Sequence, residues 1–340
     1  MYLLGAGFSA PLGLPVMANF VSRSKDQFAA SPKRFEDFGS VFGLFDKLAK
    51  VKSFYRSDLS NIEEILSILT IGEFSATPGE KSRFVKYLGD VIEYFTPSLT
   101  TYPGTLPSNW RTFAFGNERS HNDYGNFVMA LARRSLTYSG TSAAFSTSPP
   151  EASVPTYALV SLNYDGVIEV LHDYCKRFLA LAVPLALNKL WTSDDYHINL
   201  CKLHGSAHDR SIVPPTWSKG SDRLPAAAWA ATLQEIGRAN HLRILGYSLP
   251  DSDLNVRYLL KAAALESFHL KTVDVVCLDP NKTVKARYDA FIDHFGYRFK
   301  SGDLANYFSN ITARASETPG GNVGTLLEQT HAAFMREPAA

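Results

Sequence analysis

The chain opens Met1-Tyr2-Leu3-Leu4-Gly5-Ala6-Gly7-Phe8-Ser9, and this start narrows what can follow more than any other stretch. A short apolar run that breaks into Gly-Ala-Gly, with a small hydroxyl residue two places on, reads as a buried parallel strand turning into a loop whose backbone lies against a phosphate. Without a Cβ, Gly5 can take the tight turn off the strand and Gly7 can let an anion approach main-chain N–H groups. Ser9 would add a hydroxyl donor, and Gly13-Leu14-Pro15 is a second tight bend able to fold back over a bound group. Met1 leaves almost no room before the first glycine, so either the true start lies upstream or this strand is a very short one. Gly-x-Gly by itself is equally an ordinary glycine turn; the strand directly before it is the context that makes it a nucleotide loop.

A hydride-transferring dehydrogenase uses a similar loop, and Ala10 completes Gly-x-Gly-x-x-Ala. That fold also needs a second strand ending in Asp or Glu about twenty residues on. Here the region reads Ser22-Arg23-Ser24-Lys25-Asp26-Gln27, with no β-branched run leading into the acid. The dehydrogenase reading is weakened accordingly, while Arg23 and Lys25 leave NAD against NADP open.

A chain of 340 residues, 45% of them hydrophobic, supports one large domain or two ordinary ones. Lys and Arg total 34 against 33 Asp and Glu, so no net field draws the chain to nucleic acid or an anionic membrane. The most apolar stretch, Phe178 to Leu187, is interrupted by Pro184 and too short to cross a bilayer. No signal peptide is recognisable at the start. Cys175, Cys201 and Cys277 lie far apart in apolar sequence, which fits buried free thiols and a reducing cytoplasm rather than disulfides or a zinc site.

From about residue 20 to 150 the pattern is helical. Ile62, Ile65, Leu66 and Leu69 share one helical face, and Ser60 with Glu63 has capping-box spacing. Arg83 to Phe95 predicts a second helix and Asn126 to Leu136 a third, with Arg133 and Arg134 suited to its C-terminal dipole. Residues 139 to 155 are small, polar and proline-bearing, which predicts a flexible loop. Short apolar runs then recur at Tyr157 to Leu162, Leu200 to Leu203, Leu242 to Leu245 and Val273 to Leu278, separated in places by helical patterns such as Asp253 to Ser267 and Lys282 to Phe295. This alternation predicts an α/β fold, a Rossmann-like doubly wound parallel sheet with a helical insertion. The expected division is a nucleotide-binding domain from residues 1–25 and 151–305, the insertion from 26–150, and a linker and C-terminal helix from 306–340. Order weakens after Tyr307, Ser316 to Thr325 is Gly-rich, and Leu326 to Arg336 forms a last amphipathic helix that could dock on a neighbouring subunit.

Ligands of open α/β sheets bind beyond the carboxyl ends of the strands, so the residues after each apolar run are the candidates. They read Asn163-Tyr164-Asp165, His204-Gly205-Ser206, Gly246-Tyr247-Ser248 and Asp279-Pro280-Asn281. Each also has a plain structural use. Asn163 and Asp165 suit a helix cap, His204 a satisfied core histidine, Gly246 a turn, and Asp279 to Asn281 a capped helix start.

Gly-Ala-Gly-x-Ser at 5 to 9, Asn-Tyr-Asp at 163 to 165, Leu-His-Gly at 203 to 205, Gly-Tyr-Ser-Leu-Pro-x-x-Asp at 246 to 253 and the turn at 279 to 281 come in the order found in sirtuin-like proteins. The resemblance is closest to the bacterial branch that hydrolyses NAD and commonly acts in anti-phage defence; it extends from residue 1 to about 300. It implies an NAD site with Gly5, Ala6, Gly7, Phe8, Ser9, Leu14, Pro15 and Asp165 on the cofactor, the loop at 5 to 9 holding the pyrophosphate. Gly246, Ser248 and Asn281 would lie near the adenosine half. Asn163 would orient the nicotinamide ribose or a water, and His204 would act as general base. Deacylating sirtuins carry a four-cysteine zinc module that this sequence lacks, so no zinc is expected and water is the implied acceptor.

The implied activity is NAD hydrolysis to nicotinamide and ADP-ribose, gated by a homo-oligomer, by the helical insertion, or by a separate sensor or ATPase partner. No direct nucleic-acid or membrane partner is expected. Two other classes remain beside it, a deacylase or ADP-ribosyl transferase, and a catalytically silent module that binds NAD or ADP-ribose. The segment Val213 to Lys219, with Trp217, could serve as a solvent-excluding lid.

Overall fold

The computed structural model describes residues 1–55, 61–72, 79–148, 156–192, 196–213, 226–317 and 325–337. The strands are β1 (Tyr2–Leu4), β2 (Leu136–Ser139), β3 (Ala144–Thr147), β4 (Ala158–Ser161), β5 (Leu185–Leu187), β6 (Ile198–Lys202), β7 (His241–Leu245), β8 (Thr272–Cys277) and β9 (Tyr297–Ser301). Seven of them form one parallel sheet in the order β5-β6-β4-β1-β7-β8-β9, the doubly wound architecture expected from the sequence. Successive side chains enter opposite cores, as a pleat of period two requires. Tyr2, Leu4, Leu159, Leu200, Leu245 and Val276 join one hydrophobic cluster, whereas Leu3, Val160, Cys201, Ile244 and Val275 join the other.

Helices cover both faces. Between β1 and β4 lie α1 (Ala6–Ser9), α2 (Phe20–Ala30), α3 (Phe38–Leu48), α4 (Ile62–Gly72), α5 (Glu80–Phe95) and α6 (Arg119–Leu131). The rest are α7 (Val167–Phe178), α8 (Ala226–Arg238), α9 (Leu254–Ala264), α10 (Thr283–Asp289), α11 (Leu304–Glu317) and α12 (Leu326–Arg336). No described helix is long and apolar enough to cross a membrane, and all three cysteines are buried free thiols.

Several sequence expectations are corrected. The helix expected to reach Leu136 stops at Leu131, because Arg133 takes a left-handed φ of 59° and its neighbour Arg134 then leads into a strand. The stretch from residue 139 read as loop contains β3, which pairs antiparallel with β2. The described residues beyond Tyr307 are packed rather than loose, since Tyr307, Phe308 and Ile311 are fully buried in α11. The last helix docks on its own chain: Leu326, Leu327 and Phe334 are buried against α11 and α6. Ser60, half of the expected capping box, lies outside the described residues; Asn61 caps α4 instead, its Oδ1 accepting from the N–H groups of Glu63 (3.0 Å) and Glu64 (3.1 Å).

A row of polar side chains crosses the sheet in register, Tyr2 on β1, Arg243 on β7, Asp274 on β8 and Arg298 on β9. Arg243 donates to Tyr2 Oη (2.7 Å) and to Glu328 of α12. Asp274 receives Arg298 through Nε (2.6 Å) and Nη2 (2.7 Å) and His331 of α12 at 2.9 Å. Since a carboxylate only accepts, His331 Nε2 carries the proton and its Nδ1 accepts from Tyr307 Oη at 3.1 Å. This network fixes α12 over the sheet.

Candidate active site

The strand order itself locates the cleft. From β1 the chain proceeds to β4 and β6 on one side, then crosses back to β7, β8 and β9 on the other. The crevice at this reversal, beyond the carboxyl ends of β4, β1 and β7, is where an open α/β sheet leaves room for a ligand.

A cavity of about 230 Å³ lies there. Of the sequence candidates, Gly5, Ala6, Ser9, Leu14, Pro15, Asn163, Asp165, His204, Gly246 and Ser248 line it; Gly7, Phe8 and Asn281 do not. Phe8 turns into the core, against Tyr124 and Phe308 at ring distances of 5.1 and 5.5 Å. Asn281 is exposed in the turn before α10, whose start is capped by Asp279. Arg23 donates to the Gly13 carbonyl (3.0 Å) and stacks on Phe95, so neither it nor Lys25 enters the cavity.

The glycines serve a purpose different from the one expected. Gly246 takes φ 66°, and a Cβ there would meet Phe8 N at 2.3 Å; a Cβ on Gly7 would meet the Gly246 Cα at 2.9 Å. The β1–α1 and β7–α9 loops therefore cross backbone against backbone. Gly5 and Gly7 spend their N–H groups on this crossing, donating to Leu245 O (3.0 Å) and Gly246 O (2.9 Å). Ser9 likewise gives its hydroxyl proton to Asp165 Oδ2 at 2.7 Å, while Asp165 Oδ1 caps α7 through Val167 N. The N–H of Ala6, the exposed first residue of α1, meets no backbone acceptor among the described residues.

Asn163 is held from behind. Its amide nitrogen donates to Gly5 O (2.9 Å) and Ser9 Oγ (3.2 Å), which leaves Oδ1, an acceptor, for the cavity. His204 is buried to 2% exposure at the end of β6. Its Nδ1 lies 3.2 Å from the Leu162 carbonyl, which can only accept, so Nδ1 carries the proton and Nε2 bears the lone pair. Nε2 has no partner among the described residues, and neither has the buried hydroxyl of Tyr164, whose ring lies 6.1 Å from that of His204. Both residues line the cavity, and their polar atoms lack a partner that the described chain supplies. Burial pushes the His204 imidazole below its ordinary pKa, the charge on Asp253 opposing.

The cavity is also lined by Asn61 and Glu63, to which sequence reading gave no place in the site, and by Tyr164, Tyr247 and Asp253, which stood in its candidate motifs without a role. Asp253 accepts from Tyr247 Oη at 2.7 Å and caps α9 through Val256 N. Glu63 enters from α4; burial, with the charge on Asp253, pushes its carboxyl up to about 7. The signal for it was present in the helix pattern, where Glu63 sits beside the apolar stripe, but capping accounted for it.

A second cavity of about 720 Å³ shares Ile92 with the first and runs along Gly205 to Ser211. Lys202, on its wall, is engaged by Glu169 (3.2 Å) and the Asp165 carbonyl. The segment 214–219, with Trp217, lies outside the described residues.

No protein-family model and no curated protein matches the sequence. Among solved structures the chain is similar to Sir2 in complex with an inhibitor, 2′-O-acetyl-ADP-ribose and a deacetylated peptide, with 12% identity and a TM-score of 0.36 over 93% of this chain and 94% of that one. It is also similar to a Sir2 enzyme described for its mechanism and regulation, with 13% identity and a TM-score of 0.35 over 97% of this chain and 92% of that one. Overlays this loose leave the sheet order and the cleft geometry as the grounds for function.

Proposed function

We propose that the cleft takes NAD as substrate and cleaves its nicotinamide–ribose bond, giving nicotinamide and ADP-ribose. The observation that carries this reading is His204, neutral by burial, its Nδ1–H committed to Leu162 and its Nε2 lone pair unopposed in the cavity. Nicotinamide leaves with the bonding electron pair and becomes neutral, so its departure needs no acid. A water oxygen bonds to the ribose C1′ as the C1′–N bond breaks, and the water proton passes to Nε2. Such base assistance is worth about a hundredfold to ten-thousandfold in rate. Asn163 Oδ1 accepts a hydrogen bond from a ribose hydroxyl or from that water. The small cavity holds the nicotinamide–ribose end, and the pyrophosphate lies along the lip at Ala6, with the adenosine toward Gly246 and Ser248.

Chromatography of NAD incubated with the protein tests this. Nicotinamide and ADP-ribose are expected from the wild type and not from Asn163→Ala or His204→Ala. Cleavage that survives both substitutions would remove the proposed site; NAD left intact by the wild type calls for a repeat with candidate partners present, where cleavage marks a restrained enzyme and intact NAD despite measurable binding a silent binding module. An enzyme that empties its own cell of NAD must be restrained. The reading therefore extends to an NAD-depleting effector in bacterial anti-phage defence, released by self-association or by a sensor or ATPase partner. Full activity of the isolated monomer counts against that restraint.

The second cavity favours one further reading, transfer of the ribosyl group to an acyl-lysine or protein acceptor rather than to water. Nicotinamide release that depends on an added acylated peptide would select it.

A further inference from the structure

We infer that the closed end of the cleft is a cation pocket whose counter-ion is Glu63, the carboxylate that faces the positively charged nicotinamide ring and the ribosyl cation formed as that ring departs. The inference rests on the NAD reading of the same cleft. Three carboxyl groups, Glu63, Asp165 and Asp253, line the cavity, and no Lys or Arg does so among the described residues. A pocket of that composition is complementary to a cation. Two of the three are occupied, Asp165 by Ser9 and the Val167 N–H, Asp253 by Tyr247 and the Val256 N–H. The Glu63 carboxylate accepts no hydrogen bond among the described residues, and the Asn61 cap holds the turn that carries it. Beside it stand the unpartnered Tyr164 hydroxyl and His204 Nε2, both more than nine-tenths buried.

The titratable groups that line the cavity with Glu63 are Tyr164 and Asp165 from the end of β4, His204 from the end of β6, and Tyr247 and Asp253 from the β7–α9 loop. Burial and the Asp253 charge raise the Glu63 carboxyl, and a cation bound against it acts in the opposite sense. The pocket thus exchanges a proton for a cationic ring, which an uncharged dihydronicotinamide ring cannot drive.

Calorimetric titration of the full chain with NAD and with NADH tests this, in a His204→Ala background that blocks turnover. At pH 8 NAD should bind about tenfold more tightly than NADH, the ratio that accompanies one pH unit of movement in a linked titration. The preference should shrink toward parity at pH 6. Glu63→Gln should abolish it while leaving NADH affinity within about twofold, and Glu63→Asp should restore part of it. Binding of both nucleotides with a ratio that Glu63→Gln leaves unchanged would overturn the assignment of Glu63 alone. Absence of binding by either nucleotide would overturn this inference together with the NAD reading.

Discussion

Two sets of polar side chains lie at opposite ends of the sheet, and they are treated differently. Toward the amino ends, Tyr2, Arg243, Asp274 and Arg298 form a row in register whose groups are met by Glu328, Tyr307 and His331, with Arg243 Nε left over. Beyond the carboxyl ends, Asn163 and Ser9 are held from behind, while His204 Nε2, the Tyr164 hydroxyl and the Glu63 carboxylate face a cavity. Paired buried charges hold α12 to the sheet and specify how the chain closes. Unpaired ones give up stability and are left available for chemistry.

The largest contrast should come from His204→Ala and Asp274→Ala. The first should lower NAD cleavage by about a hundredfold to ten-thousandfold, with a stability cost confined to the buried ring and its Nδ1 bond to Leu162, because Nε2 has no partner in the described chain. The second should cost about 1–3 kcal/mol in urea unfolding, since it leaves the buried His331 Nε2–H without its acceptor while the exposed Arg298 turns to water, and leave turnover per folded molecule unchanged. If Asp274→Ala lowers turnover per folded molecule as far as His204→Ala does, the distinction between the two ends collapses.

Acid should sharpen the contrast. Burial works to raise the Asp274 pKa, but hydrogen bonds from His331 and Arg298 outweigh it and hold the carboxyl at about 2. A folded pKa below the unfolded value of about 3.9 gives stability that is present above that value and lost as pH falls toward 2, here about 2 kcal/mol. Unfolding free energies measured from pH 5 downward should show the wild type losing that amount relative to Asp274→Asn. The smallest effect is a matched pair of deletions. Tyr307→Phe removes the donor to His331 Nδ1 and should destabilise by about 1–3 kcal/mol, whereas Tyr164→Phe removes a hydroxyl with no partner and should be neutral or slightly stabilising.

The cleft was more legible in the sequence than the network was. Apolar runs followed by Gly, Asn, His or Asp mark β1, β4, β6, β7 and β8, because buried parallel strands need apolar side chains on both faces and the loops after them need turn residues. The edges escaped notice: β5 is three residues long, and β9 carries Arg298 and Lys300 among its aromatics. Arg243 and Asp274 looked like interruptions of apolar strands, since their partners lie 85 and 57 residues away in α12 and only the register brings them together. Glu63 was hidden for the opposite reason, because a local cap accounted for it and its reach across to the strand ends is a tertiary fact. The glycines at 5 and 7 were recognised as a site signal, yet what their missing side chains admit is the Gly246 loop.

The most direct test is a crystal structure of the Asn163→Ala chain soaked with NAD. The account predicts the nicotinamide ribose in the cavity at the ends of β1, β4 and β6, with His204 Nε2 and the Tyr164 hydroxyl within hydrogen-bonding distance of it or of a water at C1′, and Glu63 beside the nicotinamide ring. NAD seated elsewhere, with those two buried atoms still unpartnered, would contradict it.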